Sequence, residues 1–192
     1  MSISIDAPVK VSDVVRGAQA ASIFISAAAA GGSLGLSALY TRQILDSPTD
    51  VMLRQWGRMY HSGKAVFPGA AVAAAAAYGY VYYATTRASS LPKSLEVSTS
   101  NLPLIAAGLC LSIVPYTLLV LLPTNKKLLP KAQAAEENAL LSKADRAAGA
   151  GTVYTEQQEQ TAKQLVDLWG VLNLGRSVLL GAASIIGLIA FL

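Results

Sequence analysis

The chain is poor in the side chains that bind metals and cross-link folds. Among its 192 residues there is one cysteine, Cys110, and one histidine, His61. A single cysteine excludes an intrachain disulfide and a cysteine metal cluster, and one of each residue cannot build a typical haem, zinc or non-haem iron site unaided. Charge is also scarce, at 14% of residues against roughly 25% in a soluble globular chain. There is no Gly-rich phosphate loop, no HExxH and no GxSxG. "HSGKA" at 61–65 has a Gly-Lys pair but lacks the upstream glycine and the following Ser/Thr of a P-loop. Asp and Glu are missing from every long apolar stretch, which removes the usual means of proton coupling in a transporter, and the chain is short for one.

What is abundant is apolar length. Hydrophobic residues make up 53% of the chain, and four windows without acidic residues can span roughly 30 Å of hydrocarbon at 1.5 Å per residue. The fold expected is an all-α membrane protein. It is a four-transmembrane-helix bundle over 1–192 with spans at about 17–40, 65–86, 101–123 and 168–192, a helical cytosolic loop between helices 3 and 4, and the lipid bilayer as partner. The first window resembles a signal peptide in part, but the polar residues before it and its length argue for a retained span. Its Gly31-xxx-Gly35 spacing suits close helix packing in lipid.

A net charge of +4 in such a chain speaks to orientation rather than to nucleic acid. Most Lys and Arg residues lie in or beside the first and third loops, with Lys10, Arg16, Arg87 and Lys93 on the other side. The positive-inside rule then places those loops in the cytosol and both termini in the lumen. An endomembrane such as the endoplasmic reticulum is the expected location, with a homo-oligomer open.

Local signals organise the rest. Ser47 reads as an N-cap with Pro48 at N1 and Asp50 in the first turn, opening a helix that runs into the second span. Along it Met52, Trp56, Tyr60, Gly63 and Phe67 share an inward face, and Arg54, Arg58 and His61 share another. Tyr78, Tyr80, Tyr82 and Tyr83 at the end of that span read as an interfacial aromatic belt. Pro103 suits the first turn of the third helix, Pro115 predicts a kink in it, and Pro123 marks its end. Beyond that, 126–148 reads as an amphipathic loop helix broken by "GAG" at 149–151. Thr155 and Gln158 then offer a capping box for a helix without a breaker before Leu192.

Alternating helices bring a polar set to one membrane face: Ser37, Tyr40 and Arg42; Trp56, Tyr60, His61 and Lys64; Tyr116, Thr117, Thr124 and Asn125; Trp169, Asn173 and Arg176. Polar residues at membrane depth are costly unless partnered, so a cluster turned inward is a candidate site. Each member also has a structural reading. Arg176 can snorkel to the interface, Asn173 can bond a neighbouring backbone, His61 can face headgroups, and the tryptophans can anchor the belt.

Three motifs, "WGRMYHSGK" at 56–64, "PYTLLVLLPTNKKLL" at 115–129 and "LWGVLNLGRSVL" at 168–179, together resemble the DUF1772 membrane family, whose fungal members include anthrone oxygenases of polyketide pathways. The resemblance covers about residues 20–192. It implies a small membrane monooxygenase that oxidises an anthrone-type aromatic polyketide to an anthraquinone with O2 and no bound cofactor. Trp56, Tyr60, Gly63, Pro115, Thr117, Pro123, Thr124, Asn125, Trp169, Asn173 and Arg176 carry the match.

That chemistry needs a base, donors for a developing oxyanion and a flat apolar slot. The catalytic candidates are His61 or Tyr60 as base, with Arg176 and Asn173 holding oxygens. Trp56, Tyr116, Thr117, Asn125 and Trp169 are the substrate-binding candidates, and no metal ligand is assigned. The competing expectation is a non-catalytic tetraspan protein that binds or scaffolds a small hydrophobic metabolite, which would show binding without turnover.

Overall fold

The structure is a computed structural model that describes residues 13–88, 101–141, 145, 149 and 154–192. The described residues form four long helices: α1 (Asp13–Leu45), α2 (Thr49–Ala88), α3 (Leu102–Leu140) and α4 (Glu156–Phe191). All four are long and apolar enough to cross a membrane. Each packs mainly against two others, α1 and α3 both lying between α2 and α4, so the four close a ring. Large apolar side chains also face outward, Phe24 at 73% and Leu119 at 76% exposure among them. That surface is costly in water and cost-free in hydrocarbon.

The helix starts follow the local chemistry with one shift. Thr155 caps α4 as the sequence predicts: its hydroxyl accepts from the Gln158 N–H at 3.4 Å, and the Gln158 side-chain oxygen accepts from the Thr155 N–H at 3.0 Å. The helix then runs unbroken for 36 residues, about 54 Å at 1.5 Å per residue, so it protrudes well beyond roughly 30 Å of hydrocarbon. Pro103 occupies the first turn of α3. Ser47, expected as the N-cap of α2, instead donates to Gln55 Oε1 at 3.4 Å, and it is the Pro48 carbonyl that accepts the Met52 N–H at 2.9 Å. The helix therefore opens one residue later than its turn signal suggests.

Four further expectations are corrected. Pro123 does not end the third helix. It sits in the first turn after a wide turn at Thr117–Leu121, where Leu122 N–H reaches the Thr117 carbonyl, and the helix continues through Pro130 to Leu140. Residues 126–140 thus extend α3 rather than form a separate loop helix. Of the "GAG" break, Gly149 adopts φ +85, a left-handed conformation, while 150 and 151 lie outside the described residues, as does the Ser-rich 89–100 connection.

Tyr78 is not in an interfacial belt. It is fully buried, its hydroxyl within 3.1 Å of Ser26 Oγ and donating to the Ala183 carbonyl at 3.2 Å, so it ties α2 to α1 and α4, whereas Tyr80 and Tyr83 are exposed. The Gly31 and Gly35 pair makes no close helix contact, since a Cβ at either would meet nothing within 4 Å. Close approach occurs on α4 instead: Tyr116 lies against Gly175 and Tyr78 against Gly187, where a Cβ would collide with the phenol rings. In lipid such van der Waals packing and interhelical hydrogen bonds replace the hydrophobic effect, each bond contributing about 0.6 kcal/mol and up to roughly 1.7.

Two buried clusters follow from these contacts. One, built on Ala71, Ala74, Tyr78, Cys110, Leu180 and Ala183, fills the middle of the ring. The other, built on Met52, Trp56, Leu121, Leu128, Val166 and Trp169, fills the end that carries the 46–48 turn. Between them lie the polar side chains of the candidate site.

Candidate active site

All four helices contribute to a cavity of about 200 Å³. Its walls hold Leu36 of α1, Tyr60, Lys64 and Phe67 of α2, Thr117, Leu121 and Asn125 of α3, and Trp169, Asn173 and Arg176 of α4. Both wide turns of the bundle open onto it. In α1 the Thr41 N–H reaches back five residues to the Leu36 carbonyl, and in α3 the turn at Thr117–Leu121 does the same two residues after Pro115. Such turns inside α-helices occur often at functional sites, because the extra residue re-aims side chains that a regular helix would turn elsewhere.

Arg176 does not snorkel. It is only 7% exposed, and its guanidinium stands 4.8 Å from the centroid of the Phe67 ring. Nη1 donates to Asn173 Oδ1 at 3.3 Å, and Nε is buried without a hydrogen-bond partner. A buried cation with a donor unspent is an expensive arrangement unless something anionic completes it. None of the residues lining the cavity is Asp or Glu.

Asn173 is itself held fast. Its Nδ2 donates to Ser37 Oγ at 2.8 Å and to Ser33 Oγ and the Ser33 carbonyl, each at 3.2 Å, binding α4 to α1. The interhelical backbone bond expected of this asparagine is therefore present, and the same amide orients Arg176 with its oxygen. Trp169 Nε1 donates to Asn125 Oδ1 at 2.9 Å, fixing the indole against α3 and leaving the Asn125 amide nitrogen as the group it can offer.

The structure thus brings Tyr60, Thr117, Asn125, Trp169, Asn173 and Arg176 to one cavity. Trp56 stands behind the wall, stacked on Tyr60 at 5.3 Å and edge-on to Trp169 at 6.0 Å. Tyr116 is a clasp, its hydroxyl donating to the Leu172 carbonyl at 2.6 Å. His61 opens onto a different recess, about 540 Å³ between α2 and α3, with Arg54, Arg58 and Glu136. There Arg58 pairs with Glu136 at 3.0 Å, and His61 Nδ1 lies 2.8 Å from the Gly57 carbonyl, with the ring edge-on to Tyr60.

Phe67 is the site residue that local patterning does not single out. Its spacing assigns it to the inward stripe of α2, and only the position of Arg176 on another helix makes it a cation's partner. Among the described residues no three His, Cys, Asp or Glu side chains come together as a metal site would require.

The family model described as anthrone oxygenase matches residues 56–186. The chain is 32% identical to an anthrone oxygenase of Claviceps purpurea (strain 20.1) over 172 residues, 88% of this chain and 83% of that one. It is 33% identical to the anthrone oxygenase encC of Aspergillus fumigatus, covering 73% of this chain and 70% of the relative. To the anthrone oxygenase nsrD of Aspergillus novofumigatus it is 35% identical, covering 57% and 65%. No solved structure matches. A match that includes Tyr60, Phe67, Asn125, Trp169, Asn173 and Arg176 takes in most of the cavity wall, and the chain belongs to the anthrone oxygenase family of membrane oxygenases.

Proposed function

We propose that the chain oxidises an anthrone-type aromatic polyketide to the anthraquinone with O2, and that it does so without a bound cofactor. The observation that carries this reading is the buried Arg176, with an unpartnered Nε, on the wall of a largely apolar and aromatic cavity.

An anthrone has an acidic CH₂ between two aryl rings, opposite a carbonyl. Loss of one proton from that carbon gives an anion whose charge rests largely on the carbonyl oxygen. Arg176, oriented by Asn173, is placed to hold this oxygen as charge develops, and in a dry site such preorganised donors act strongly. The anion is electron-rich enough to pass one electron to O2. Recombination forms a C–O bond to give a hydroperoxide, and loss of water leaves the quinone carbonyl. One O2 is consumed and one water released for each anthrone.

Tyr60, acting as its phenolate and returning the proton to the peroxide anion, is the base this reading selects, because its side chain borders the cavity while His61 borders the neighbouring recess. Trp169 and Phe67 provide aromatic faces for a flat ring system. We place the chain in an endomembrane, and the charge asymmetry of the loops supports an orientation with the Trp56 end of the bundle toward the cytosol and both termini in the lumen.

Anthrones oxidise slowly in air, so the decisive measurement is O2 uptake above that of empty membranes. Membranes bearing the wild type should consume anthrone and O2 one to one without added flavin or iron, and Arg176→Ala should lose about 100- to 1,000-fold of that rate. Equal rates in the two would sink the reading.

A further inference from the structure

The cavity is closed along the bundle axis in both directions. Toward the Trp56 end, Trp56, Leu128 and Val166 are fully buried, and toward the other end Ala71, Tyr78 and Ala183 are too. The approaches to Arg176 that remain run sideways, between helices. An apolar groove of about 360 Å³ lies on the outside of the α1–α2 seam, lined by Leu36, Tyr40, Met59, Ser62, Val66 and Phe67. Leu36, Met59, Gly63 and Phe67 line both groove and cavity, so one layer of side chains separates them. On the α2–α3 side the cavity wall includes the exposed Lys64 and Leu118, whereas the groove carries no charged side chain.

We propose that the substrate enters from the bilayer through the α1–α2 groove, and that Phe67 is the residue that opens the way. This rests on the proposed oxidation of a flat apolar aromatic, which concentrates in hydrocarbon before it is bound. The Phe67 ring lies between two residues without side chains. A Cβ at Gly63 would stand 3.3 Å from it and one at Gly32 3.6 Å, so on these two sides the ring is flanked by glycine backbone, although it also belongs to the buried cluster with Ala29 and Ala71. The same ring covers the Arg176 guanidinium. Swinging it aside joins groove to cavity and uncovers the cation, so the arriving carbonyl oxygen takes the place of the ring's π face. Passage and presentation of the donor are then one movement.

The test plugs the groove without touching the cavity. Ser62 is exposed, lines the groove and not the cavity, and its hydroxyl bonds only the Arg58 carbonyl of its own helix at 3.1 Å. Ser62→Cys can be labelled with a bulky maleimide after folding, because Cys110 is wholly buried. Gln164→Cys, exposed on α4 and lining neither space, is the control. Each labelled protein is reconstituted and mixed with vesicles carrying anthraquinone, whose arrival is read as quenching of Trp56 and Trp169 emission, and anthrone turnover is measured separately.

The label at 62 should slow both quenching and turnover about tenfold or more, a barrier rise of roughly 1.4 kcal/mol, while the label at 164 changes neither. Phe67→Ala should quicken the quenching phase. Unchanged quenching with the label at 62 overturns the proposal and points to the α2–α3 seam. Groove-dependent quenching in a wild type that shows no turnover upholds the route while removing the oxidation.

Discussion

The guanidinium of Arg176 rests 4.8 Å from the centroid of the Phe67 ring, joining the end of one sequence motif to a residue more than a hundred positions away on α2. Arg176 is thereby held in an apolar interior with no carboxylate on the cavity wall, so the contact bears on the stability of the bundle and, under the proposed function, on its chemistry.

Replacing Phe67 with leucine keeps an apolar wall and removes the π face. A desolvated cation–π contact contributes up to about 2 kcal/mol, so the thermal midpoint in detergent should fall and KM should change more than kcat. Phe67→Trp, with a stronger quadrupole, should restore the midpoint. Equal midpoints for leucine and tryptophan would show the contact to be incidental.

Tyr60 and His61 are adjacent in sequence, yet they border different spaces. If Tyr60 removes the substrate proton, Tyr60→Phe should lower kcat by about 100- to 10,000-fold, with Trp56 stacking retained by the phenyl ring. His61→Asn should leave kcat nearly unchanged. The opposite result, with His61 essential and Tyr60 dispensable, would move the base to the recess with Arg58 and Glu136.

Gly175→Ala should be harmful although it adds one methyl. That methyl would collide with the Tyr116 ring, whose hydroxyl is anchored on Leu172. Overpacking of this kind costs about 1–3 kcal/mol, measurable as a lower unfolding midpoint. Gly181→Ala, whose Cβ would come only to 3.9 Å of Ala30, serves as the tolerant control.

Thr155→Ala removes one half of the capping box at the start of α4, far from the cavity. A loss of about 1 kcal/mol is expected, read as a small fall in midpoint with O2 uptake unaltered. Thr155→Ser should restore it.

The sequence was most readable where the signal is local or is set by length. The four apolar windows, the Thr155 box and the inward stripe containing Met52, Trp56 and Phe67 are all periodic or capping features, and each appears in the structure. Failures came where another helix decides. Tyr78 looks like a member of a belt until Ser26 and Ala183 present themselves as partners. Gly31 and Gly35 have a packing spacing but no helix against them. Pro123 carries a stop signal that the preceding wide turn absorbs, since a proline in a first helical turn gives up a hydrogen bond that position would not make. In the site, polar type and depth found Asn125, Asn173 and Arg176, but no local pattern separates Tyr60 on the cavity wall from Tyr116, which clasps α4.

The wide turns at Leu36–Tyr40 and Thr117–Leu121 also set an angular phase. Each holds one residue more than a regular turn, and one residue is about 100° of helix rotation. Deleting a single residue from 117–121 could leave α3 intact as a membrane helix and still turn all that follows it by roughly a quarter of a circle, carrying Asn125 away from Trp169. The orientation of the protruding half of α3 is therefore tuned by length within the membrane, and an insertion or deletion there is predicted to act as a dial on the site rather than as damage to the fold.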